Sequence, residues 1–279
     1  MADNARERTQ RESGKQERYT HGYESKFVEY LEGREVSKDA AFFQPHLRSG
    51  KSLIDCGCGP GTITIDLAGF VTPGHVVGVD FEENQINIAK KNALERRVPN
   101  VQFEVGDIYK LPFPENTFDA AFAHTIFQHL EDPVKAAIEI HRVLKPGGII
   151  GVREEDTAGF IISPFTPKFG ELMKLYVKTW KHNGGDPYFA RRQRAVLNEA
   201  GFVRVEASAS AESYGTPEST RKMGEMMADY MHTHLETAVQ LKWVDATTVE
   251  TLTAEWRSWG KHPDAFFGVL FCEAVGWVK

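Results

Sequence analysis

The sequence predicts an α/β fold with a parallel, doubly wound sheet, because short β-rich runs alternate with longer amphipathic segments. Runs typical of strands lie at 52–56, 75–80, 101–105, 118–123 and 149–152. Helical patterns lie at 62–70, 83–96 and 133–144. Strand–helix alternation favours parallel strands joined by crossover helices that cover both faces of the sheet. Five such units occupy about residues 50 to 153.

Composition and charge exclude several classes of protein. Of the 279 residues, 41% are hydrophobic and 26% are charged, which is typical of soluble globular proteins. The net charge of −6 supplies no overall positive field for nucleic acid or anionic lipid. The longest apolar run, 265–278, is too short for a membrane helix, and no apolar run typical of a secretory signal follows the mixed charges at the N-terminus. Three cysteines indicate a reducing compartment, so we expect a cytoplasmic protein.

Three further regions surround this α/β segment. Residues 1–18 carry almost no apolar side chains and are expected to form a mobile tail. Residues 19–49 predict two short helices that form a lid. Residues 156–279 predict the remainder of the sheet, with strands at 202–208 and 265–278, and a helical cap from insertions at about 156–200 and 215–262. We expect the cap at the carboxyl edge of the sheet, where open α/β folds bind ligands.

The first strand runs into a glycine-rich turn, Asp55-Cys56-Gly57-Cys58-Gly59-Pro60-Gly61, and then a helix. Glycines at alternate positions allow positive φ and a close approach of the backbone to a ligand. The spacing differs from the dinucleotide fingerprint G-x-G-x-x-G, and the Gly-Lys-Ser/Thr ending of a P-loop is absent.

The two loop cysteines have the spacing of a metal-binding pair. No second pair and no nearby histidine completes a set of four ligands. No metal site is therefore predicted, and we interpret Cys56 and Cys58 as small residues of the loop.

Four motifs in order resemble those of class I S-adenosylmethionine-dependent methyltransferases. The first is the acidic residue and glycine turn from Asp55 to Gly61, and the second is Asp80, 25 positions after Asp55 at the end of the second strand. The third is Gly106-Asp107 after the third strand, and the fourth is the turn at 142–148 that leads into the fifth strand. The match covers about residues 50 to 153 and is most similar to the small-molecule branch related to quinone-biosynthesis methyltransferases.

This resemblance implies a Rossmann-like seven-stranded sheet, residues 50–155 as the cofactor-binding core, S-adenosylmethionine as cofactor and S-adenosylhomocysteine as product. It implies that Asp80 holds the ribose hydroxyls, that Asp107 accepts the adenine amino group and that Ile108 covers the ring. Gln85 departs from the family, which often has methionine there, and Phe81 would supply an apolar face instead. The expected cofactor-binding residues are Tyr23, Asp55, Gly57, Cys58, Gly59, Gly61, Asp80, Phe81, Gln85, Gly106, Asp107, Ile108 and His124.

The candidate catalytic residues are His124, His129 and Glu154. An acceptor that must lose a proton benefits from a base that titrates near neutrality, which histidine provides. His124 ends the fourth strand, where related proteins line the methyl site, and His129 follows in the next turn; either histidine also fits a structural role. Glu154 follows the fifth strand at the same edge of the sheet, and its charge run also fits a solvated loop.

The function expected from these motifs is methyl transfer from S-adenosylmethionine to a small, apolar or aromatic metabolite by in-line displacement, in secondary-metabolite biosynthesis. An alternative is a cyclase or rearrangement enzyme that binds the same cofactor without transferring its methyl group. A protein or nucleic-acid methyltransferase fits less well, since His124-Thr125-Ile126-Phe127 replaces the Asn/Asp-Pro-Pro-Tyr element of amino methyltransferases. We expect a monomer or homodimer.

Overall fold

The computed structural model describes residues 33–279, which contain a single mixed sheet. Its strands are β1 Leu53–Cys56, β2 Val76–Asp80, β3 Val101–Val105, β4 Phe118–His124, β5 Leu144–Glu155, β6 Ile161–Ser163, β7 Arg204–Tyr214 and β8 Phe266–Trp277. The order is β3-β2-β1-β4-β5-β8-β6, with β7 paired to β8. Strands β1 to β5 are parallel, and β8 is antiparallel to β5, β6 and β7. The doubly wound α/β prediction is confirmed, with β6 as a short eighth strand.

The helices fall close to the predicted positions. They are α1 Val36–Asp39, α2 Thr62–Val71, α3 Glu83–Glu95, α4 Pro133–Val143, α5 Pro167–His182, α6 Gln193–Glu199, α7 Pro217–Gln240 and α8 Ala246–Trp259. Local sequence explains several starts: a proline occupies the first turn of α4, α5 and α7, and the preceding Asp132, Thr166 and Thr216 accept a backbone hydrogen bond. Within residues 33–279, every helix is too short or too polar to span a bilayer.

Apolar clusters cover both faces of the sheet, as predicted. On one face, Leu67 of α2 packs with Phe43 and with Phe122 of β4. On the other face, Ile140 of α4 and Val196 of α6 pack against β1, β4 and β5. Burial of these side chains fixes the ends of the parallel strands at one common edge.

The cap consists of α5, α7 and α8, which bury a third cluster rich in aromatic side chains. Tyr176 and Trp180 of α5 meet Met231 of α7 and Trp256 of α8 there, and the cluster continues onto Phe267 of β8. Helix α6 falls within the predicted cap insertion at 156–200 but packs with α4, β7 and β8 instead. The apolar face of α6 fits the sheet, so the sequence placed this helix in the wrong layer.

Only part of the predicted lid is described. Its residues 33–49 contain α1 and a turn at Gln44–His46, and the ring of Phe43 stacks on Phe122 with centroids 5.7 Å apart. The predicted tail at 1–18 and Tyr23 lie outside the described residues.

Candidate active site

A cleft of about 640 Å³, its open mouth included, lies at the carboxyl ends of β1, β2 and β4. Its lining consists of Arg34, Asp55, Gly57, Cys58, Gly59, Pro60, Thr62, Ile63, Asp80, Phe81, Gln85, Phe122, His124, Thr125 and Ile126. The cleft therefore brings together the glycine turn, the end of β2 and the end of β4.

The three glycines of the turn are required for different structural reasons. Gly57, Gly59 and Gly61 have φ of 78°, 53° and 78°, which other residues rarely adopt. A Cβ on Gly57 would lie 2.8 Å from Ile126, and one on Gly61 would lie 2.7 Å from Phe103. A Cβ on Gly59 would meet nothing closer than the Gln85 side chain at 4.0 Å. Packing thus requires Gly57 and Gly61, whereas the space beside Gly59 belongs to the cleft.

Two buried carboxylates border this turn. Asp55 accepts a hydrogen bond from the Thr64 hydroxyl at 2.6 Å, and burial raises its pKa to about 7. Asp80 accepts from the backbone N–H of Gly59 at 2.9 Å and of Glu82 at 3.0 Å. Burial also raises the pKa of Asp80. Asp80 therefore ties the glycine turn to the end of β2.

Gln85 supplies an unsatisfied polar atom at the cleft. Its Oε1 is buried and accepts no hydrogen bond from any residue in the described range. A buried acceptor without a partner costs about 1–3 kcal/mol, so a ligand that donates a hydrogen bond would relieve that cost. Phe81, beside it, is 49% exposed and presents an apolar face. A hydrogen-bond acceptor beside an apolar ring fits a ligand that carries a flat ring together with a hydroxyl or amino group.

The residues after β3 stand outside the cleft lining. The backbone N–H of Gly106 donates to the carbonyl of Asp80 at 2.9 Å, so this segment lies beside the cleft. Asp107 accepts from the backbone N–H of Tyr109 at 2.9 Å, and Asp107 and Ile108 are both half-buried. The predicted contact of Asp107 and Ile108 with the ligand stays a prediction.

Arg34 also belongs to the cleft, although no sequence pattern predicts it. Its Nη2 donates to the Thr125 hydroxyl at 3.0 Å, and its guanidinium lines the cleft. Thr125 has a φ of 51°, a strained conformation for a β-branched residue that its neighbours impose at the end of β4. No motif marks Arg34, because Arg34 and Thr125 lie 91 positions apart in the sequence and only the tertiary fold brings them into contact.

His124 lies at the inner end of the cleft and is buried. Its Nε2 lies 2.7 Å from Nη1 of Arg153 and 3.6 Å from the Asp39 carboxylate. Because a guanidinium is always protonated and only donates, Nε2 must accept and the proton resides on Nδ1. Burial and the charges of Arg34 and Arg153 hold the pKa of His124 well below its usual range. The nitrogen that would take a proton is therefore already in use.

Arg153 is the centre of a buried charge cluster. Its guanidinium lies 3.0 Å from Asp39, 3.1 Å from Glu212 and 3.7 Å from Glu273. It also sits 3.6 Å above the ring of Phe271. The cluster fastens α1, β5, β7 and β8 to one another behind His124.

His129 and Glu154 lie outside the cleft lining. The ring of His129 stacks on Trp180 with centroids 4.7 Å apart, and burial lowers the pKa of this histidine to about 3. The Glu154 carboxylate accepts from the backbone N–H groups of Ile126 at 3.0 Å, Phe127 at 2.9 Å and Gln128 at 3.3 Å. Burial raises the pKa of Glu154 to about 8 in spite of these bonds. Both contacts hold the turn after β4 in place.

A family model described as a methyltransferase domain matches residues 47–212, more than half of the chain. This protein belongs to the class I S-adenosylmethionine-dependent methyltransferases. The cofactor is S-adenosylmethionine, and the match includes the glycine turn, Asp80 and the strands that carry them.

Relatives support the same family. A protein of Aspergillus luteorubrus named "Probable methyltransferase ltbC" is 30% identical over 95% of this chain and 99% of its own length. The demethylmenaquinone methyltransferase of Geobacillus sp. (strain WCH70) is 31% identical over 58% of this chain and 74% of its own. The solved structure of a SAM-dependent methyltransferase from Aquifex aeolicus is similar with a TM-score of 0.52 and 17% identity, covering 90% of this chain and 99% of that one. The last likeness concerns the fold.

Proposed function

We propose that this methyltransferase transfers the methyl group of S-adenosylmethionine to a small, apolar or aromatic metabolite that binds between the cleft and the cap. The observation that carries this proposal is the aromatic side of the cap at the carboxyl edge of the sheet. Tyr176 lies within electrostatic reach of Glu155 at the end of β5, and Phe160 faces Tyr176 with ring centroids 6.4 Å apart. Aromatic side chains favour contact with apolar and aromatic ligands, so an aromatic cap favours an acceptor of that kind.

The cleft residues suit the parts of the cofactor. Asp80 would accept from the ribose hydroxyls, with the unsatisfied Oε1 of Gln85 as a further acceptor. Arg34 would bind the carboxylate of the methionine moiety, and Asp55 would face its amino group. The bound cofactor supplies a methyl group on a positively charged sulfur. Asp107 and Ile108 remain our proposal for the adenine side.

The roles of the histidines follow from their contacts. His124 would act as a neutral wall of the methyl site, oriented by Arg153, because its Nε2 is already occupied. His129 would support the turn from beneath through its contact with Trp180. A proton acceptor for the metabolite must then come from another residue.

The acceptor class is proposed from the site and from one relative. Demethylmenaquinone methyltransferase is named for a quinone acceptor, and its likeness here favours a quinone-like or aromatic metabolite. Secondary metabolism, the cytoplasm and a monomeric or dimeric state remain predictions.

Two measurements test this function. Calorimetric titration with S-adenosylmethionine and S-adenosylhomocysteine should give micromolar binding of both. Incubation with a metabolite extract and methyl-deuterated S-adenosylmethionine should then yield a small product that carries the label, detected by mass spectrometry. Asp80→Asn, which removes one proposed ribose acceptor, should weaken the binding of both ligands. Binding together with an unlabelled, rearranged product would favour a cyclase, and absence of binding would contradict the proposal.

A further inference from the structure

The last two carboxylates of β5 differ in their surroundings. Side chains along a strand alternate between faces, so Glu155 lies on the same face as Arg153, and Glu154 lies on the opposite face. Glu154 is fully buried and accepts three backbone hydrogen bonds. Across residues 33–279, no hydrogen bond or ion pair engages the Glu155 carboxylate, and its oxygens are not fully buried. Glu155 is therefore half-buried, and its carboxylate is available to a small ligand.

Charged and titratable groups from several elements surround Glu155. They are Arg34 before α1, Arg153 and Asp156 at the end of β5, Glu212 of β7 and Tyr176 of α5. Asp39, Glu212 and Glu273 together neutralise Arg153, so its attraction to a further carboxylate is weak. Burial accordingly raises the pKa of Glu155 to about 7, where a carboxylate can both accept and release a proton.

Arg34 connects Glu155 to the cofactor cleft. The guanidinium lines the cleft with His124 and Thr125, and it also lies within electrostatic reach of Glu155. The paired ends of β4 and β5 lie side by side, with His124 opposite Arg153 and Glu155 two residues further on. Glu155 is thus adjacent to the inner end of the cleft.

The cap supplies a rigid wall on the other side. The hydroxyl of Tyr176 is hydrogen-bonded to that of Tyr230 at 2.9 Å, and its backbone carbonyl lies 3.1 Å from Nε2 of His234. These contacts fix the ring of Tyr176 near Glu155. Glu155 therefore lies between Arg34 of the cofactor cleft and the aromatic cluster of the cap, on the side where the proposed acceptor binds.

We infer that Glu155 is a catalytic residue, whose carboxylate borders the transferred methyl group and takes the proton of an acceptor hydroxyl or amine. This inference rests on the proposed function. Glu155 forms an O–H bond with the acceptor's proton while the acceptor's oxygen or nitrogen forms a bond to the methyl carbon. The carbon–sulfur bond breaks with its electron pair going to sulfur, which becomes a neutral thioether. The protonated Glu155 then returns its proton to solvent.

Proton linkage in cofactor binding tests this position without knowledge of the acceptor. S-adenosylmethionine and S-adenosylhomocysteine share their adenosine and amino-acid parts and differ in the methyl group and charge at sulfur. A positive charge beside Glu155 favours its ionised form. Titration in buffers of different ionisation enthalpy at pH 7 should therefore show a fraction of a proton more released with S-adenosylmethionine, because pH 7 lies near the pKa of Glu155.

Two variants test whether Glu155 causes the difference in proton release between the two ligands. Glu155→Gln should abolish the difference in proton release while retaining binding of S-adenosylhomocysteine. Glu206→Gln, an equivalent charge change on the exposed outer strand β7, should leave the difference intact. A difference that persists in Glu155→Gln would overturn the inference and point to Asp55, a carboxylate of the cleft lining whose pKa is also raised to about 7.

The unchanged protein provides a second measurement in case Glu155→Gln does not fold. Because ionised Glu155 favours the cation, the ratio of S-adenosylmethionine to S-adenosylhomocysteine affinity should rise about fivefold or more from pH 6 to pH 8, below the limit of tenfold per pH unit for one proton. A flat ratio would overturn the inference while the proposed function stands. Failure of both ligands to bind would instead contradict the proposed function.

Discussion

Nη1 of Arg153 donates a hydrogen bond to Nε2 of His124 across 2.7 Å, joining the ends of β5 and β4. This bond fixes the tautomer of the imidazole, with the proton on Nδ1, 3.4 Å from the Thr125 hydroxyl. Arg153 in turn is held by Asp39 and Glu212. The charge cluster therefore determines which atoms His124 presents to the cleft.

Arg153→Met should lower the free energy of unfolding by about 3–5 kcal/mol, because the buried carboxylates of Asp39, Glu212 and Glu273 would lose their shared cation. Urea unfolding followed by circular dichroism measures this change. Arg204→Met is the matched control, since Arg204 is exposed on β7 and should cost no more than about 0.5 kcal/mol. Equal stability of the two variants would show that the cluster contributes little to the fold.

Two glycines of the turn should respond differently to the same substitution. Gly59→Ala places a Cβ in the open cleft and should cost only about 1 kcal/mol of stability from its left-handed φ. Gly61→Ala brings a Cβ within 2.8 Å of Ala89 and should cost about 2–4 kcal/mol. Gly59→Ala should nonetheless weaken S-adenosylmethionine binding more than tenfold, because the Cβ occupies ligand space. Thermal unfolding and calorimetry separate the two effects, and undiminished binding by Gly59→Ala would contradict this placement of the cofactor.

The sequence predicted the strands and most of the cleft because local patterns determine both. Short apolar runs separated by helical segments specify β1 to β5, and the glycine turn follows β1 directly. Gly57, Gly59 and Asp80 therefore meet at the edge where the parallel strands end together. The short strand β6 escaped prediction, since three residues carry too little periodicity. Helix α6 was assigned to the cap because its amphipathic pattern does not specify which layer covers its apolar face.

The catalytic side was harder to predict, as Glu154 and Glu155 illustrate. A run of adjacent charged residues does not reveal which carboxylate will accept hydrogen bonds from nearby backbone N–H groups. Side chains alternate along β5, so Glu154 faces the turn after β4 and Glu155 faces the cap. Which residue takes which side depends on the register of β5 with β8. Arg34 lay beyond any pattern, since its contact with Thr125 spans 91 positions of sequence.

Asp80→Ala should weaken S-adenosylmethionine and S-adenosylhomocysteine equally, by roughly 1.5–3 kcal/mol, since both ligands carry the same ribose. Calorimetric titration of each ligand measures the loss. Asp80→Asn keeps one oxygen for the Gly59 N–H but places an NH2 donor opposite the Glu82 N–H, so it should lose the charge and one of the two backbone bonds. Unchanged affinity in the alanine variant would remove Asp80 from the ribose site. A loss confined to S-adenosylmethionine would place it beside sulfur instead.

Buried carboxyl groups should make the protein less stable as pH rises above neutrality. Burial raises the pKa of Asp55 and Glu155 to about 7 and that of Glu154 to about 8, above the values of the unfolded chain. Between the unfolded and folded pKa values the folded state binds more protons, so stability falls with rising pH. His124 and His129 act in the opposite sense, since their lowered pKa values make stability fall as pH drops below about 6.5.

The window between pH 6.5 and pH 8 therefore isolates the carboxyl groups. The free energy of unfolding should decrease there, by at most about 1.4 kcal/mol per pH unit for each carboxyl that remains protonated in the folded state. Urea unfolding at closely spaced pH values measures the slope. Glu155→Gln removes one of these groups and should flatten the decrease, whereas Glu206→Gln should not, because Glu206 is exposed on β7. A stability that stays constant across this window would mean that these carboxylates are ionised in the folded protein as they are in the unfolded chain, and Glu155 would then begin the reaction without a bound proton at any pH in the range.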